Sequence, residues 1–149
     1  MHRAGRAVAL ALAAAWACEP GARETHEGRD TSVSGLDLTV STDRPAYRPG
    51  EPITLALQVR NPSRHSITLE FATAQRYDFV IEQLDGKEMW RWSADQMFAQ
   101  MLGEQVVPSS WAADYGEKFT GSLPPGTYRL RGMLTTTDKR EAATEFVVR

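Results

Sequence analysis

The sequence is poor in the residues that usually carry chemistry. Its 149 residues include one cysteine and three histidines. A single cysteine excludes an intramolecular disulfide, so a folded domain must be stabilised by its hydrophobic core alone. A metal site needs clustered His, Cys or carboxylate ligands, and no such spacing occurs in the sequence. A glycine-rich phosphate-binding loop is also missing. We therefore expect no metal and no cofactor.

Catalytic triads assemble in space, so spacing alone does not exclude them. The better test is whether the predicted domain contains a histidine that could act as the general base. His2 and His26 precede the predicted domain, and His65 follows Asn61-Pro62 in a predicted turn, where a solvated side chain is the ordinary state. The sequence offers no evident acid–base pair, and we expect the protein not to be an enzyme.

Neither sign of charge dominates the sequence. Seventeen Lys and Arg residues stand against nineteen Asp and Glu residues, and the formal net charge is -2 at pH 7. Binding to nucleic-acid phosphates requires a basic face. We therefore expect no nucleic acid among the partners.

No apolar run reaches the length of about 20 residues that a membrane-spanning helix needs. The longest run, residues 7–17, follows a basic start that contains Arg3 and Arg6, and it ends on small residues. This order predicts an export signal over residues 1–17. The alternative is an apolar N-terminal helix of a cytosolic protein.

The single cysteine, Cys18, directly follows this run. Ala15-Trp16-Ala17-Cys18 is similar to a bacterial lipobox, in which a small residue precedes the cleaved bond and the thiol carries a diacylglyceryl group. Ala15 and Trp16 depart from the preferred residues. We expect lipidation at Cys18, hence an exported, membrane-anchored lipoprotein of the cell envelope that contacts the membrane only through its lipid. The alternative is an ordinary signal-peptidase cut that leaves a free thiol.

Residues 18–35 are polar and have no apolar period, which predicts a flexible tether.

Residues 36–149 are long enough to bury a core. Apolar residues alternate there with a period of two, which is typical of antiparallel strands. Asp85-Gly86 predicts a tight hairpin. Short strands at this spacing predict an all-β domain of two packed sheets. The alternating apolar residues include Leu36, Leu38, Val40, Ile53, Leu55, Leu57, Val59, Ile67, Leu69, Phe71, Tyr128, Leu130, Leu134, Phe146 and Val148.

One segment has a helical pattern. Ser93-Ala94-Asp95-Gln96 is a capping box, in which the glutamine side chain reaches back to the Ser93 amide. Apolar residues follow at helical spacing, and Gly103 stands where a helix commonly ends. The sequence therefore predicts one short helix of about three turns that lies on the sandwich. The apolar residues of this pattern are Met97, Phe98, Met101 and Leu102.

Aromatic residues cluster on two predicted strands. Trp90 and Trp92 share one strand face, either as part of the core or as a shelf that binds a ligand. Tyr77 and Phe79 are expected in the core as well. Asp78 is expected to bond neighbouring backbone rather than to act as an acid.

Two polar stretches are predicted to be long connections, and ordered loops on a rigid scaffold often carry recognition. The first, residues 103–118, contains Trp111 and Tyr115. The second, residues 135–140, has Lys139 and Arg140 at its tip. We expect these four side chains to contact a partner.

The order of these features resembles the intracellular proteinase inhibitor (BsuPI) family over residues 36–149. The resemblance implies an immunoglobulin-like antiparallel β-sandwich, and inhibition of a serine proteinase by protein–protein contact. The matching residues are Tyr47-Arg48-Pro49-Gly50-Glu51, Val59-Arg60-Asn61, Phe71, Gln75-Arg76-Tyr77-Asp78-Phe79, Trp90-Arg91-Trp92-Ser93, Phe98 and Pro125-Gly126-Thr127-Tyr128.

Two functions are consistent with the sequence. The first is a proteinase inhibitor-like, protein-binding domain of an exported lipoprotein, whose partner is a serine proteinase or another envelope protein. Lys139 or Arg140 would then suit a trypsin-like pocket. The second is a non-inhibitory structural or assembly module of a cell-envelope complex.

Overall fold

A computed structural model describes the backbone of residues 26–30 and the structure of residues 35–149. The predicted leader over residues 1–17 and the lipidation site Cys18 lie outside the described residues. The described chain forms eleven strands and one 3-10 turn, Trp92–Asp95, which follows β7. The strands are β1 His26–Asp30, β2 Asp37–Thr42, β3 Ala46–Tyr47, β4 Ile53–Arg60, β5 Ile67–Phe71, β6 Tyr77–Gln83, β7 Glu88–Arg91, β8 Gly103–Val107, β9 Ala112–Phe119, β10 Gly126–Leu134 and β11 Arg140–Val148.

The strands form two large sheets and a small one. The orders are β1-β2-β4-β9, β3-β11-β10-β6-β7 and β5-β8. Neighbours pair antiparallel, except that β3 lies parallel to β11. The predicted all-β class and the two-sheet sandwich are confirmed.

The two large sheets enclose the core. Alternate side chains along the strands point inward, and Leu57 on β4 and Leu130 on β10 are fully buried. Burial of such a side chain contributes about 1.5–3 kcal/mol to stability. The sheets lie close together at Gly132, where an added Cβ would lie 2.7 Å from Cγ2 of Val40. Only glycine leaves room for this contact between β10 and β2.

The β6–β7 hairpin has the predicted turn. Gly86 has a φ of 90°, which glycine adopts without strain. The Gln83 amide donates to the Lys87 carbonyl at 2.8 Å, and the Lys87 amide donates to the Asp85 side chain at 3.0 Å. The hairpin therefore fixes the register between β6 and β7, on which the candidate site depends.

The structure corrects the predicted tether at His26–Asp30. These five residues form β1, which pairs antiparallel with β2 from His26 opposite Thr42 to Asp30 opposite Leu38. A strand added to a sheet edge bonds through its backbone and needs no apolar period. The rest of the predicted tether, residues 18–25 and 31–34, lies outside the described residues.

The predicted helix is wrong. Trp92–Asp95 form a single 3-10 turn, and residues 96–102 have no regular secondary structure. The Ser93 hydroxyl bonds the Asp78 carboxylate instead of capping a helix. Three of the four apolar side chains of the pattern, Met97, Met101 and Leu102, are exposed, and a short helix is unstable in water without packing of its apolar face. Among the described residues, no helix is long and apolar enough to cross a membrane.

The predicted long connection at 103–118 is also wrong. It contains β8 and β9, with a short turn between them. Strand β9 extends the β1-β2-β4 sheet, and β8 pairs with β5. The inward side of β9 carries the polar Glu117, so the apolar alternation that announces a strand is weak in the sequence. In the structure this carboxylate accepts a hydrogen bond from the Tyr77 hydroxyl.

Candidate partner-contact surface

The most exposed large apolar side chains lie close together in the chain. Met97 is 99% exposed, Leu102 83% and Met101 62%. We call residues 96–102, which join the 3-10 turn to β8, the apolar segment. Val106 of β8 is 62% exposed as well. Large exposed apolar side chains in one place are typical of a surface that binds another molecule.

The start of the apolar segment is fixed by a buried carboxylate. Asp78 on β6 is 3% exposed. It accepts hydrogen bonds from the Ser93 hydroxyl at 2.6 Å and the Ser93 amide at 3.1 Å. It also accepts one from the Phe79 amide at 2.9 Å. The Arg91 guanidinium lies 3.0 Å from the same carboxylate, so the buried charge is paired and hydrogen-bonded. We call Asp78, Arg91 and Ser93 the Asp78 cluster.

Arg91 is held in turn by Glu88. The two side chains form a salt bridge of 2.7 Å along β7. The hydrogen bond to Glu88 and, next among the stabilising contacts, that to Asp78 raise the pKa of Arg91 above its ordinary value. The guanidinium is therefore a permanent cation that neutralises Asp78, while Glu88 is the more exposed of its two partners.

A column of aromatic rings joins the apolar segment to both large sheets. Trp92 stacks on Tyr77 at 4.7 Å, and Tyr77 stacks on Tyr115 of β9 at 4.7 Å. Phe98 of the apolar segment lies 5.8 Å from Trp92. The Tyr77 hydroxyl donates to Glu117 at 2.6 Å. Burial and this hydrogen bond raise the pKa of Tyr77 above its ordinary value.

The middle of the apolar segment is also attached. The Ala74 amide donates to the Ala99 carbonyl at 2.9 Å. Ala74 belongs to the connection between β5 and β6, so the segment is bonded to the body of the domain near its centre. The other side chains of the apolar segment are exposed, except that of Phe98, which is partly buried.

The end of the apolar segment is supported by Arg76. Its guanidinium lies 4.3 Å from the centre of the Phe71 ring and donates to the Thr73 carbonyl at 2.9 Å. A Cβ added to Gly103 would lie 3.1 Å from this guanidinium. Gly103, directly after the segment, pairs with Phe71 in the β5–β8 ladder. The segment is thus fixed at both ends and in the middle.

A cavity of about 540 Å³ opens beside the end of the apolar segment. Its wall combines apolar side chains with Glu70 and Glu104, which lie directly opposite each other across the β5–β8 pair. The cavity adds a concave, acidic area to the surface around Leu102. Its lining residues are Glu70, Phe71, Leu102, Gly103, Glu104 and Thr137.

The structure separates the four predicted contact residues. Tyr115 is part of the aromatic column, on the edge strand β9. Trp111 lies in the β8–β9 turn, where its carbonyl accepts a 2.8 Å hydrogen bond from the Asn61 amide. Lys139 is exposed, with a φ of 37°.

Arg140 is buried, although the sequence places it at a loop tip. It is 8% exposed and begins β11 on the inward face. Its guanidinium forms a 2.6 Å salt bridge with Asp138. The alternation of β11 places this side chain inward, so the predicted exposure at a loop tip is wrong. Thr136, beside it in the turn, is also buried.

The scaffold aromatics lie where the two sheets and the 3-10 turn meet. Phe79 is fully buried, whereas Trp90, Trp92 and Tyr77 are partly buried and pack against the core. Trp90 meets Phe119 edge-on at 5.2 Å. No group of three or more His, Cys, Asp or Glu side chains that could hold a metal ion occurs in residues 35–149, the part whose side chains the structure describes.

A model of the intracellular proteinase inhibitor family, BsuPI, matches residues 40–139. The chain belongs to the BsuPI family. The matched range spans the domain from β2 to the β10–β11 turn, and so contains the Asp78 cluster, the aromatic column and the apolar segment.

Solved structures are similar to this BsuPI chain in fold alone. The sporulation control protein Spo0M from Bacillus subtilis is 13% identical with a TM-score of 0.52, covering 78% of this chain and 50% of that one. The C-terminal domain of wzt is 12% identical with a TM-score of 0.51, covering 85% of this chain and 78% of that one. The chain thus spans half the length of Spo0M. A comparison with curated proteins finds no match.

The sequence pattern does not predict the exposure of the apolar segment. The helical spacing predicts that its apolar residues pack on the sandwich. Two sequence motifs could have indicated how the segment is attached, Tyr77-Asp78-Phe79 and Trp90-Arg91-Trp92-Ser93. The Asp78 carboxylate on one strand and the serine after the next strand can form a hydrogen bond once the hairpin has formed.

Proposed function

We propose that this protein is a proteinase inhibitor-like, protein-binding lipoprotein of the cell envelope. The observation that carries the proposal is the apolar segment, exposed at Met97, Met101 and Leu102 yet attached at both ends and in the middle, on a domain of the BsuPI family. The proposed role is inhibition by occupation of the proteinase cleft, with no catalysis by this chain.

Binding by a fixed segment is physically favourable for an inhibitor. A typical protein–protein contact buries about 800 Å² on each partner. A segment that already has its bound shape loses little conformational freedom on docking, so more of the contact energy appears as affinity. The exposed thioether and leucine side chains supply apolar area, and the acidic cavity beside Leu102 supplies a recess for a projecting side chain of the partner.

The test is a panel of serine proteinases with different pocket preferences, incubated with the purified full chain. The expected result is loss of proteinase activity near one inhibitor per active site for at least one member. Full activity across the panel, or rapid digestion of the chain, would contradict inhibition and would favour the alternative of a structural module. Intact mass after incubation distinguishes an inhibitor from a substrate.

The cell-envelope location rests on residues 1–18. A basic start, an apolar run and Cys18 after Ala17 support export followed by lipid attachment. The target of the inhibitor would then be an envelope or external proteinase. Cells that express the wild type or Cys18→Ala are labelled with a fatty-acid probe. We expect labelling only of the wild type, and equal labelling of both would reject lipidation at this residue.

A further inference from the structure

We propose that Met97 is the side chain that enters the primary specificity pocket of the target, and that this pocket is apolar and uncharged. The inference rests on the proposed inhibitory function and names the contact and the class of partner. It replaces the sequence-based expectation of a lysine or arginine bound to a trypsin-like enzyme.

The Met97 side chain projects away from the domain. Met97 is 99% exposed, the largest exposed fraction among the large apolar side chains that the structure describes. Gln96 before it has an extended backbone, with φ -108° and ψ 151°. Phe98 after it packs towards Trp92. Neighbours on an extended chain point to opposite sides, so the anchoring of Phe98 directs Met97 away from the domain.

Hydrogen bonds hold the chain in place on both sides of Met97. Four residues earlier, Ser93 is bonded to Asp78 through both its hydroxyl and its amide. Two residues later, the Ala99 carbonyl accepts the Ala74 amide. Between these bonds, the Gln96 amide donates to the Ser93 carbonyl at 3.1 Å. A side chain projected from a segment held at such short range enters a pocket with little reorganisation.

The chemistry of the methionine side chain favours an apolar pocket. Methionine is long, unbranched and apolar, so it fills a deep apolar slot. The primary pocket of trypsin contains a carboxylate, whereas that of chymotrypsin is a hydrophobic slot. A thioether in the trypsin pocket would leave the carboxylate desolvated without a partner, which is unfavourable. Lys139, in the rival turn, would give the opposite preference.

The experiment measures inhibition constants of the full chain against chymotrypsin, subtilisin and trypsin. We expect the wild type to inhibit chymotrypsin or subtilisin and to spare trypsin. Met97→Lys should weaken inhibition of the first two on the order of 100-fold and create inhibition of trypsin. Leu84→Lys is the matched control, since Leu84 is an exposed apolar residue in the β6–β7 turn, and it should change neither preference.

The outcomes separate the two proposals. If the wild type inhibits none of the enzymes, the proposed function fails. If the wild type inhibits but Met97→Lys leaves every constant unchanged, inhibition stands and the role of Met97 is overturned. If Lys139→Ala abolishes inhibition and Met97→Ala does not, the contact belongs to the β10–β11 turn. The exposure of Met97 and Leu84 makes misfolding a poor explanation for any change, and thermal melting of each variant checks this.

Discussion

The Ser93 hydroxyl donates a 2.6 Å hydrogen bond to the Asp78 carboxylate, fifteen residues earlier in the chain. This bond joins β6 to the 3-10 turn that directly precedes the apolar segment. It exists only because β6 and β7 pair, with Val80 opposite Arg91. The shape of the proposed contact surface therefore depends on the register of a hairpin in the body of the domain.

Removal of the Asp78 carboxylate should strongly destabilise the fold. Asp78→Ala leaves the Phe79 and Ser93 amides without their buried acceptor, and a buried donor left unsatisfied costs about 1–3 kcal/mol. Glu88→Ala is the control, because Glu88 is exposed and its pair with Arg91 is worth at most about 1 kcal/mol. Denaturant unfolding measures both. Equal losses for the two variants would show that the Asp78 cluster does not have this structural role.

Ser93→Ala should loosen the apolar segment more than it destabilises the domain. The variant loses the hydroxyl bond, worth about 1.5–3 kcal/mol when the acceptor is charged, while the amide bond to Asp78 remains. We expect faster cleavage within residues 96–102 by dilute thermolysin, a metalloproteinase outside the proposed target class, followed by mass spectrometry. Ser109→Ala, in the exposed β8–β9 turn, should be cleaved like the wild type. Unchanged cleavage of Ser93→Ala would contradict the attachment described here.

Gly132→Ala should destabilise the sandwich by about 1–3 kcal/mol through overpacking. The added Cβ would lie 2.7 Å from Val40 and 3.2 Å from Leu57, so the sheets would have to separate locally. Gly116→Ala is the matched control on β9, where the added atom would lie at an ordinary 3.6 Å from the Leu55 carbonyl. Thermal melting compares the two, and similar melting temperatures would contradict the close approach.

Stability should fall in alkali through Tyr47. Burial, and then the hydrogen bond to Asp43, raise the pKa of Tyr47 from 10.0 to about 12. The folded state therefore keeps the phenol proton at pH values where the unfolded chain has lost it. This contribution is complete below pH 10 and is lost as the pH rises towards 12. Urea unfolding at pH 9 and pH 11 should show a smaller decline for Tyr47→Phe than for the wild type. Equal declines would count against this role.

The sandwich was predictable because its signal is local and repeated. Leu55, Leu57 and Val59 alternate with polar neighbours, and each strand with such a pattern has one buried face. Asp85-Gly86 marks the hairpin for the same reason, since only the two residues of the turn decide it. Strand β1 was not predictable in this way, because edge pairing through the backbone leaves no pattern in the side chains.

The candidate site depends on contacts between distant residues, and there sequence reasoning failed. The capping box at Ser93 is a correct local pattern, but the Asp78 carboxylate competes for the same hydroxyl and becomes available only after β6 and β7 pair. Glu117 hides the strand character of β9, because its partner Tyr77 lies forty residues earlier. Arg140 looked like a loop residue, since one position of register decides between the turn and the inward face of β11.

The central claim is that the apolar segment is the surface through which this BsuPI domain binds a proteinase. Hydrogen–deuterium exchange of the full chain tests it most directly, with and without a stoichiometric amount of a proteinase whose catalytic serine is replaced by alanine, so that its cleft stays open. We expect slower exchange on binding at the backbone amides of residues 96–102 and unchanged exchange at residues 135–139. Protection confined to the β10–β11 turn, or exchange that is the same with and without the proteinase, would contradict the claim.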